Sequence, residues 1–374
     1  MNTRPRLLTG VDLPAAPSCG SMILCGDLYQ ALDQRFQTTF LTLPSVDPAW
    51  AHGFDRLLTC HARKQPYGPD FTGYVAELTA EVRGHLAAQP ADLIHAQHLG
   101  FGLSLAFVRA SGTLPVISLA HGTDVIAAEQ SLQAQAALTE VVAASHSVVI
   151  PTSALRQRID ALTGHRFTAR LTVLPWGIPT NRCTHQNRPP TSRPAALRVV
   201  YAGRLDANKS AITAIEALPL TRYAHDLTVI GSGSELGALT GAAHRLGLTD
   251  RVRFEPFLPR GTLWSRLQDF DAFVFTTADL EAFGLVAVEA QAHGVPIVYS
   301  DLPGMTDTLG GAGLPYAPRD AGHLAAQLDA LAADPVLRDE LSGAGIANAQ
   351  RYDIRHTADH LAHLSQQAID SAAT

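Results

Sequence analysis

The chain has 374 residues, 46 % hydrophobic and 17 % charged, a balance that suits a globular protein and excludes extended disorder. A formal charge of −6 provides no general field for nucleic acid or an anionic membrane, so any bound anion must be met by a local cluster. The length exceeds what one core supports and implies two domains of roughly 180 residues each.

Only two of the 28 basic residues are lysines, Lys64 and Lys209. Cys19, Cys25, Cys60 and Cys183 form no CxxC pair and are too sparse for a disulfide framework, so they read as reduced thiols of a cytoplasmic protein. The stretch MNTRPRLLTGVDLPAAP lacks the apolar run of a signal peptide, and the apolar runs elsewhere are of strand length, giving no membrane-spanning segment.

In chain order, RLLTG, TTFLTL, DLIHA, PVISLAHG, HSVVIP and RLTVLP read as buried parallel strands, being short, rich in Val, Ile and Leu, and bounded by turn residues. Helical patterns lie between them, among them MILCGDLYQALDQ, FTGYVAELTAEVRGHLAA and SALRQRIDALTG. This alternation predicts a doubly wound α/β sheet with right-handed crossovers. The stretch from Asn181 to Ala196, NRCTHQNRPPTSRPAA, is polar and broken by proline, and the linker and hinge are expected there. The rhythm then restarts with LRVVYAG, DLTVIGSG, RVRFEPF, AFVFTT and PIVYS, and a mostly helical tail begins at Ala321. The expected division is a first Rossmann-like domain over 1–182, a linker over 183–196, a second Rossmann-like domain over 197–350, and a C-terminal helix over 351–374 that packs back toward the first domain. Two Rossmann-like domains of this kind leave a cleft at the carboxyl ends of their strands, where ligands of such sheets bind.

Several loops at strand ends carry chemistry. In the first half, PAAPSCGSM places Gly20 before a helix whose N-terminus suits phosphate, with Gly20 supplying backbone freedom. LIHAQHLGFG brings His95 and His98 after a strand; no third metal ligand is found, so they read as structural or acceptor-side. PVISLAHGTDV ends at His121 and Asp124, the first a turn histidine or a group aimed at the cleft, the second a proton or hydroxyl acceptor. Trp176 in VLPWGIP is core packing or an aromatic surface beside an acceptor.

In the second half, YAGRLDANKS follows a strand with Gly203 and two cations, Arg204 as a bidentate fork and Lys209 as a compact charge, either gripping phosphate or solvated. Gly231 and Gly233 form a glycine turn that admits a ligand or closes helix–strand packing. LEAFGLVAVEAQAHGVPIV opens a helix through Glu281, Phe283, Gly284 and Leu285, whose amides suit a diphosphate or sugar hydroxyls. Glu281 either accepts hydroxyls or complements the helix dipole. Glu289, flanked by VAV and AQA, needs a partner or a ligand.

Glu281 through Glu289, with Arg204 and Lys209 upstream, resembles the Glu-x7-Glu signature and Gly-Arg…Lys loop of retaining, nucleotide-sugar-dependent glycosyltransferases of family 4, which have the GT-B fold. The resemblance implies that Arg204 and Lys209 neutralise the donor diphosphate, that Glu281 meets donor sugar hydroxyls, and that Glu289 holds the ribose. It further implies that backbone near Phe257 and Leu258 contacts the base and that His121, in a His-Gly-Thr-Asp segment, approaches the donor sugar. Two departures stand out: Cys19-Gly20-Ser21 where the family shows adjacent glycines, and Trp176 where it commonly has Asn. The expected activity is hexosyl transfer from a UDP- or GDP-linked sugar to a small soluble acceptor in a natural-product (antibiotic-type) pathway, without metal or other cofactor. The alternatives are a nucleotide-sugar epimerase or another GT-B enzyme, and a cyclitol, thiol-pathway or polysaccharide glycosyltransferase.

Overall fold

The structure is a computed structural model that describes residues 4–16, 19–44, 54–185 and 196–372. Most of the expected linker, 186–195, and part of the loop before Gly20 lie outside the described residues. The chain forms two compact units, residues 1–177 with 354–374 and residues 178–353.

Unit 1 opens with β1 (Arg6–Pro14), α1 (Gly20–Ala31), β2 (Gln37–Leu43), β3 (Arg56–Thr59) and α2 (Phe71–Ala88). It continues with β4 (Leu93–Gln97), α3 (Gly102–Ala110), β5 (Val116–Leu119), α4 (Thr123–Gln130) and α5 (Leu132–Ala144). It closes with β6 (Ser147–Ile150), α6 (Ser153–Leu162) and β7 (Leu171–Val173). Unit 2 begins with β8 (Arg198–Ala202), α7 (Ile212–Ala217), β9 (Asp226–Ile230), α8 (Leu236–Arg245), β10 (Val252–Glu255) and α9 (Arg260–Leu267). Then follow β11 (Ala272–Phe275), α10 (Leu285–Ala292), β12 (Ile297–Ser300), α11 (Pro303–Leu309), β13 (Leu314–Tyr316), α12 (Ala321–Ala333) and α13 (Pro335–Gln350). The last helix, α14 (Ile354–Ala372), belongs to unit 1 and packs on α1.

Both sheets are parallel throughout, in the orders β3-β2-β1-β4-β5-β6-β7 and β10-β9-β8-β11-β12-β13. These are two Rossmann-like units, as the alternating pattern predicts. Central strands such as Val116–Leu119 and Ala272–Phe275 are buried along their whole length, as a sheet covered on both faces requires. Helix starts follow side-chain chemistry: Ser131, Thr152 and Asp320 each accept a backbone N–H of the first turn, and Asp334 accepts two ahead of Pro335.

Two strands escape the sequence pattern. β3 is a half-buried edge strand, and β13 has three residues including Pro315, which is tolerated because an edge strand leaves one side unpaired.

In each sheet the strand order reverses between two neighbours, β1 and β4 in unit 1, β8 and β11 in unit 2. At such a switch point adjacent connections leave in opposite directions and open a crevice at the carboxyl ends. The loops after β8 and β9 pack backbone to backbone: Gly203 N–H donates to Ile230 O at 3.0 Å, and Leu205 N–H to Ser232 O at 2.9 Å. A Cβ on Gly231 would stand 1.9 Å from Gly203 O, and its φ of 152° is strained for any side chain. Gly231→Ala is expected to destabilise the protein by about 2 kcal/mol or more, a fall of roughly 5 °C in Tm, measured by thermal melting.

Candidate active site

The loop after β8 and the loop after β11 flank the unit 2 switch point and are tied to each other by three contacts. Lys209 Nζ lies 2.5 Å from Glu281 Oε2. Thr276 Oγ1 donates to Lys209 O at 2.7 Å, and Ala278 N–H donates to Asn208 O at 2.9 Å. Thr277 Oγ1 adds a second donor to Glu281 Oε2 at 3.2 Å. The side chains of Lys209 and Glu281 are 22 % and 14 % exposed, so the pair is largely desolvated yet reachable at one edge. Arg204 is more open and reaches Asp206 at 2.5 Å. The chain turns at Ser210, whose φ of 47° is left-handed, before α7 begins.

The helix expected to open near Glu281 instead begins at Leu285. Gly284 is its cap, with φ 78° and ψ 52°, and a Cβ there would meet Met305 Sδ at 2.8 Å. The left-handed residue turns the chain sharply, so Glu281 and Phe283 stand on the loop. Phe283 is buried against Tyr352, ring centroids 5.1 Å apart. No side chain caps the first turn of α10, leaving its amides for water or a ligand.

Glu289 is 4 % exposed, and its partners were not visible in the sequence. Arg260, opening α9, donates through Nε to Oε1 at 2.9 Å and brings a second guanidinium nitrogen to 2.8 Å; Trp264 Nε1 donates to Oε2 at 3.0 Å. The need for a partner is therefore met within the unit, 25 and 29 residues upstream. Of the base-contact candidates, Phe257 is 44 % exposed and Leu258 half-buried, in the loop after β10.

At the unit 1 switch point, His98 follows β4 with a left-handed φ of 64° and is 2 % exposed. Its ring stacks on Phe101 at 4.6 Å and on His121 at 4.2 Å, and neither nitrogen has a hydrogen-bond partner among the described residues. His121 Nε2 meets Gln97 Oε1 at 2.9 Å. Trp176 is buried and lies 6.0 Å from the His121 ring, so it is both core and the wall behind that imidazole. Burial lowers the pKa of His95, His98 and His121 to about 3, helped at His98 by Lys64 and at His121 by His98. All three are therefore neutral near pH 7.

Two expectations in unit 1 change. Asp124 was expected to accept a proton or hold a hydroxyl; instead its carboxylate accepts backbone N–H groups from Leu99 and Gly122 at 2.7 Å, Val125 at 3.0 Å and His121 at 3.2 Å. With its acceptor sites filled it clamps the His121 loop to the His98 loop. Gly20 was expected to loosen a loop, yet it is the first residue of α1, with Cys19 as cap. A further cluster went unseen: Lys64 Nζ donates to Asp12 O at 2.6 Å and lies 5.8 Å from the Phe101 ring centroid, while Tyr74 OH donates to the Asp12 carboxylate at 3.3 Å. Nothing local links Lys64 to Asp12, 52 residues away. Among the described residues no group of three metal-ligating side chains occurs, and no helix is long and apolar enough to cross a membrane.

The family model Glycosyltransferase Family 4 matches residues 20–182, and the model Glycosyl transferases group 1 matches residues 186–348. The chain belongs to the family 4 type of GT-B glycosyltransferases. It is 32 % identical over 233 residues to glycogen synthase of Mycobacterium tuberculosis, 59 % of this chain and 55 % of that protein. It is 31 % identical over 232 residues to D-inositol 3-phosphate glycosyltransferase of Actinosynnema mirum, 56 % of this chain and 55 % of that protein. The chain thus spans about half the length of the curated relatives it matches. Sucrose-phosphate synthase of Thermosynechococcus elongatus shares the fold with a TM-score of 0.83 at 19 % identity, covering 98 % of this chain and all of that one. HepE of Anabaena, in complex with UDP-glucose, does so with 0.74 at 20 % identity, covering 99 % and 100 %.

Removing the Glu289 carboxylate leaves the Arg260 guanidinium without its counter-charge in a buried setting. Glu289→Ala is expected to cost about 3–5 kcal/mol of stability, read from denaturant unfolding. Acid should act through the fully buried histidines. His95 and His98 bind protons in the unfolded chain near pH 6.5 but not in the folded one, so stability is complete above that pH and falls as pH drops toward 3. Unfolding free energy, level near pH 7, should decline from about pH 6 to pH 4.5 by roughly 1.4 kcal/mol per pH unit for each of the two histidines.

Proposed function

We propose that the protein transfers a glycosyl unit from a nucleoside diphosphate sugar to a hydroxyl of a small acceptor, with retention of anomeric configuration. The observation that carries this reading is the Lys209–Glu281 pair at the unit 2 switch point, beside the uncapped first turn of α10. A partly exposed cation held by a carboxylate at the carboxyl ends of the strands is poised to exchange part of that contact for a ligand's charge.

Lys209 and Arg204 would take the diphosphate, with the amides around Gly284 and Leu285 and the close-packed glycines Gly203 and Gly231 near its oxygens. Glu281, released in part from Lys209, would receive sugar hydroxyls. The ribose hydroxyls would donate to Glu289, the carboxylate that Arg260 and Trp264 hold in place. The loop at Phe257 and Leu258 would take the base. In unit 1, His121 would offer a neutral imidazole to the donor sugar. His98, with two buried ring nitrogens lacking a partner, would bond an acceptor hydroxyl. In the transfer, the bond from the anomeric carbon to the diphosphate oxygen breaks and a bond to the acceptor oxygen forms on the same face. The acceptor proton goes to the departing phosphate oxygen, so no covalent nucleophile is required, and stabilisation of the diphosphate supplies the largest part of the rate.

The UDP-sugar complexes among proteins of this fold favour a UDP-linked donor over a GDP-linked one. Among small acceptors, the D-inositol 3-phosphate glycosyltransferase relative favours a cyclitol over a natural-product acceptor. Reduced cysteines favour a cytoplasmic setting.

The test combines thermal shift with UDP, GDP, ADP and TDP and product analysis by NMR using the matching donor and polyol acceptors. One nucleotide should raise Tm by mass action, and the product should keep the donor's anomeric configuration. Lys209→Ala should lower kcat about 10²- to 10³-fold, with Tm followed in parallel because Glu281 loses its partner. Near-normal turnover in this variant, or no shift with any nucleotide, would overturn the reading.

A further inference from the structure

A continuous line of buried polar atoms runs from α14 to His121, and its proton directions follow from one end. Ser365 Oγ donates to Leu361 O at 2.7 Å, so toward His95 Nε2, 2.9 Å away, it is the acceptor. His95 therefore carries its proton on Nε2 and keeps a lone pair on Nδ1. Tyr29 OH has two acceptors in reach, that nitrogen at 3.1 Å and Thr9 Oγ1 at 3.0 Å; Thr9 can accept from Gln97 instead, whereas Nδ1 has no other donor among the described residues, so Tyr29 donates to Nδ1. With its one proton engaged, the Tyr29 oxygen accepts from Gln97 Nε2 at 2.6 Å. The second Gln97 amide proton points to Thr9 Oγ1 at 3.3 Å, whose own proton goes to His95 O at 2.8 Å. The amide orientation is thereby fixed, Gln97 Oε1 faces His121, and only an Nε2–H can satisfy it. Thr9, Tyr29, His95, Gln97 and Ser365 are all buried, so water does not compete for these bonds, and in such surroundings each bond polarises the next.

We infer that Gln97 is a positioning residue which, oriented through Tyr29 and His95 by Ser365 of the C-terminal helix, holds His121 as the Nε2-protonated tautomer and presents its Nδ1 as an acceptor for a ligand hydroxyl. Nδ1 makes no hydrogen bond to any described residue. A neutral ring with a lone pair receives an O–H and gives nothing to a phosphate oxygen, so His121 reads a hydroxyl of the sugar or acceptor, and Lys209 and Arg204 are left to read the diphosphate. The inference rests on the proposed glycosyl transfer for the identity of that ligand, though not for the tautomer.

The experiment records long-range ¹H–¹⁵N correlations of the histidine side chains in the ligand-free full chain, with His121→Ala giving the assignment. The expected pattern is a single tautomer protonated at Nε2, which relaxes to a mixture in Ser365→Ala and in Tyr29→Phe. Turnover with the donor found by thermal shift should then fall roughly tenfold to a hundredfold in kcat in Tyr29→Phe, the range for residues that orient a working imidazole, with KM little changed.

Gln97→Glu supplies a second readout. The carboxylate still accepts from Nε2 but favours the imidazolium, so an acid limb absent from the wild type should enter the pH profile. His98, Asp124 and Lys64 also act on this ring, Lys64 through His98, and Trp176 lies beside it; all four are unchanged in that variant. An Nδ1-protonated His121 in the wild type, or a wild-type spectrum retained in both Ser365→Ala and Tyr29→Phe, would overturn the inference even if glycosyl transfer is observed. Absence of turnover alongside the expected spectra would instead overturn the proposed reaction and leave the tautomer assignment intact.

Discussion

The contact between Lys209 and Glu281 holds the unit 2 site in its observed form. The loop after β8 carries cations that would repel one another and wander in water, and the loop after β11 carries a carboxylate and then a left-handed glycine. Joining them across the switch point neutralises both charges in a setting with little solvent, while two neighbouring backbone bonds fix the register of the loops. The Gly231–Gly203 approach narrows the same rim from the other side. The pair is formed without a ligand, so Lys209 is already oriented, and under the proposed reading this would lower the ordering cost of binding an anion.

Unit 1 works by a different principle. Its His95, His98 and His121 are neutral near pH 7, the last two stacked on each other, and the Asp124 carboxylate beside them accepts from backbone amides. The result is a rigid surface of directed lone pairs and protons in which selectivity arises from hydrogen-bond polarity. Unit 2 instead carries a pair of opposite charges, Lys209 and Glu281, beside its switch point.

The parallel strands were legible because each is a short Val, Ile or Leu run bounded by turn residues, and the amphipathic helices between them showed their period. The two loops that the Lys209–Glu281 contact joins were legible as a candidate site because Gly203, Arg204, Lys209, Glu281 and Glu289 lie in two short stretches of distinctive residue type and spacing. The Arg260–Glu289 bond was not legible, since nothing marks which of many arginines would meet a carboxylate 29 residues on. The same holds for His95 and Ser365, 270 residues apart, and for Lys64 with Asp12. The start of α10 was misplaced because acidic residues near a helix start suggest capping, whereas the left-handed Gly284 ends the loop only after Phe283. Such contacts are fixed by tertiary packing, which local pattern does not encode.

The central claim is that Lys209 is a diphosphate-binding charge and not merely the partner of Glu281. Calorimetric titration of UDP and of uridine, in the wild type and in Lys209→Ala, separates the two. The account predicts that the diphosphate strengthens binding to the wild type by roughly tenfold to a hundredfold more than it does to the variant, the worth of one charge-assisted contact, while uridine binds both alike. An equal advantage of UDP over uridine in the two proteins would contradict it and leave the ion pair as a device of the fold alone.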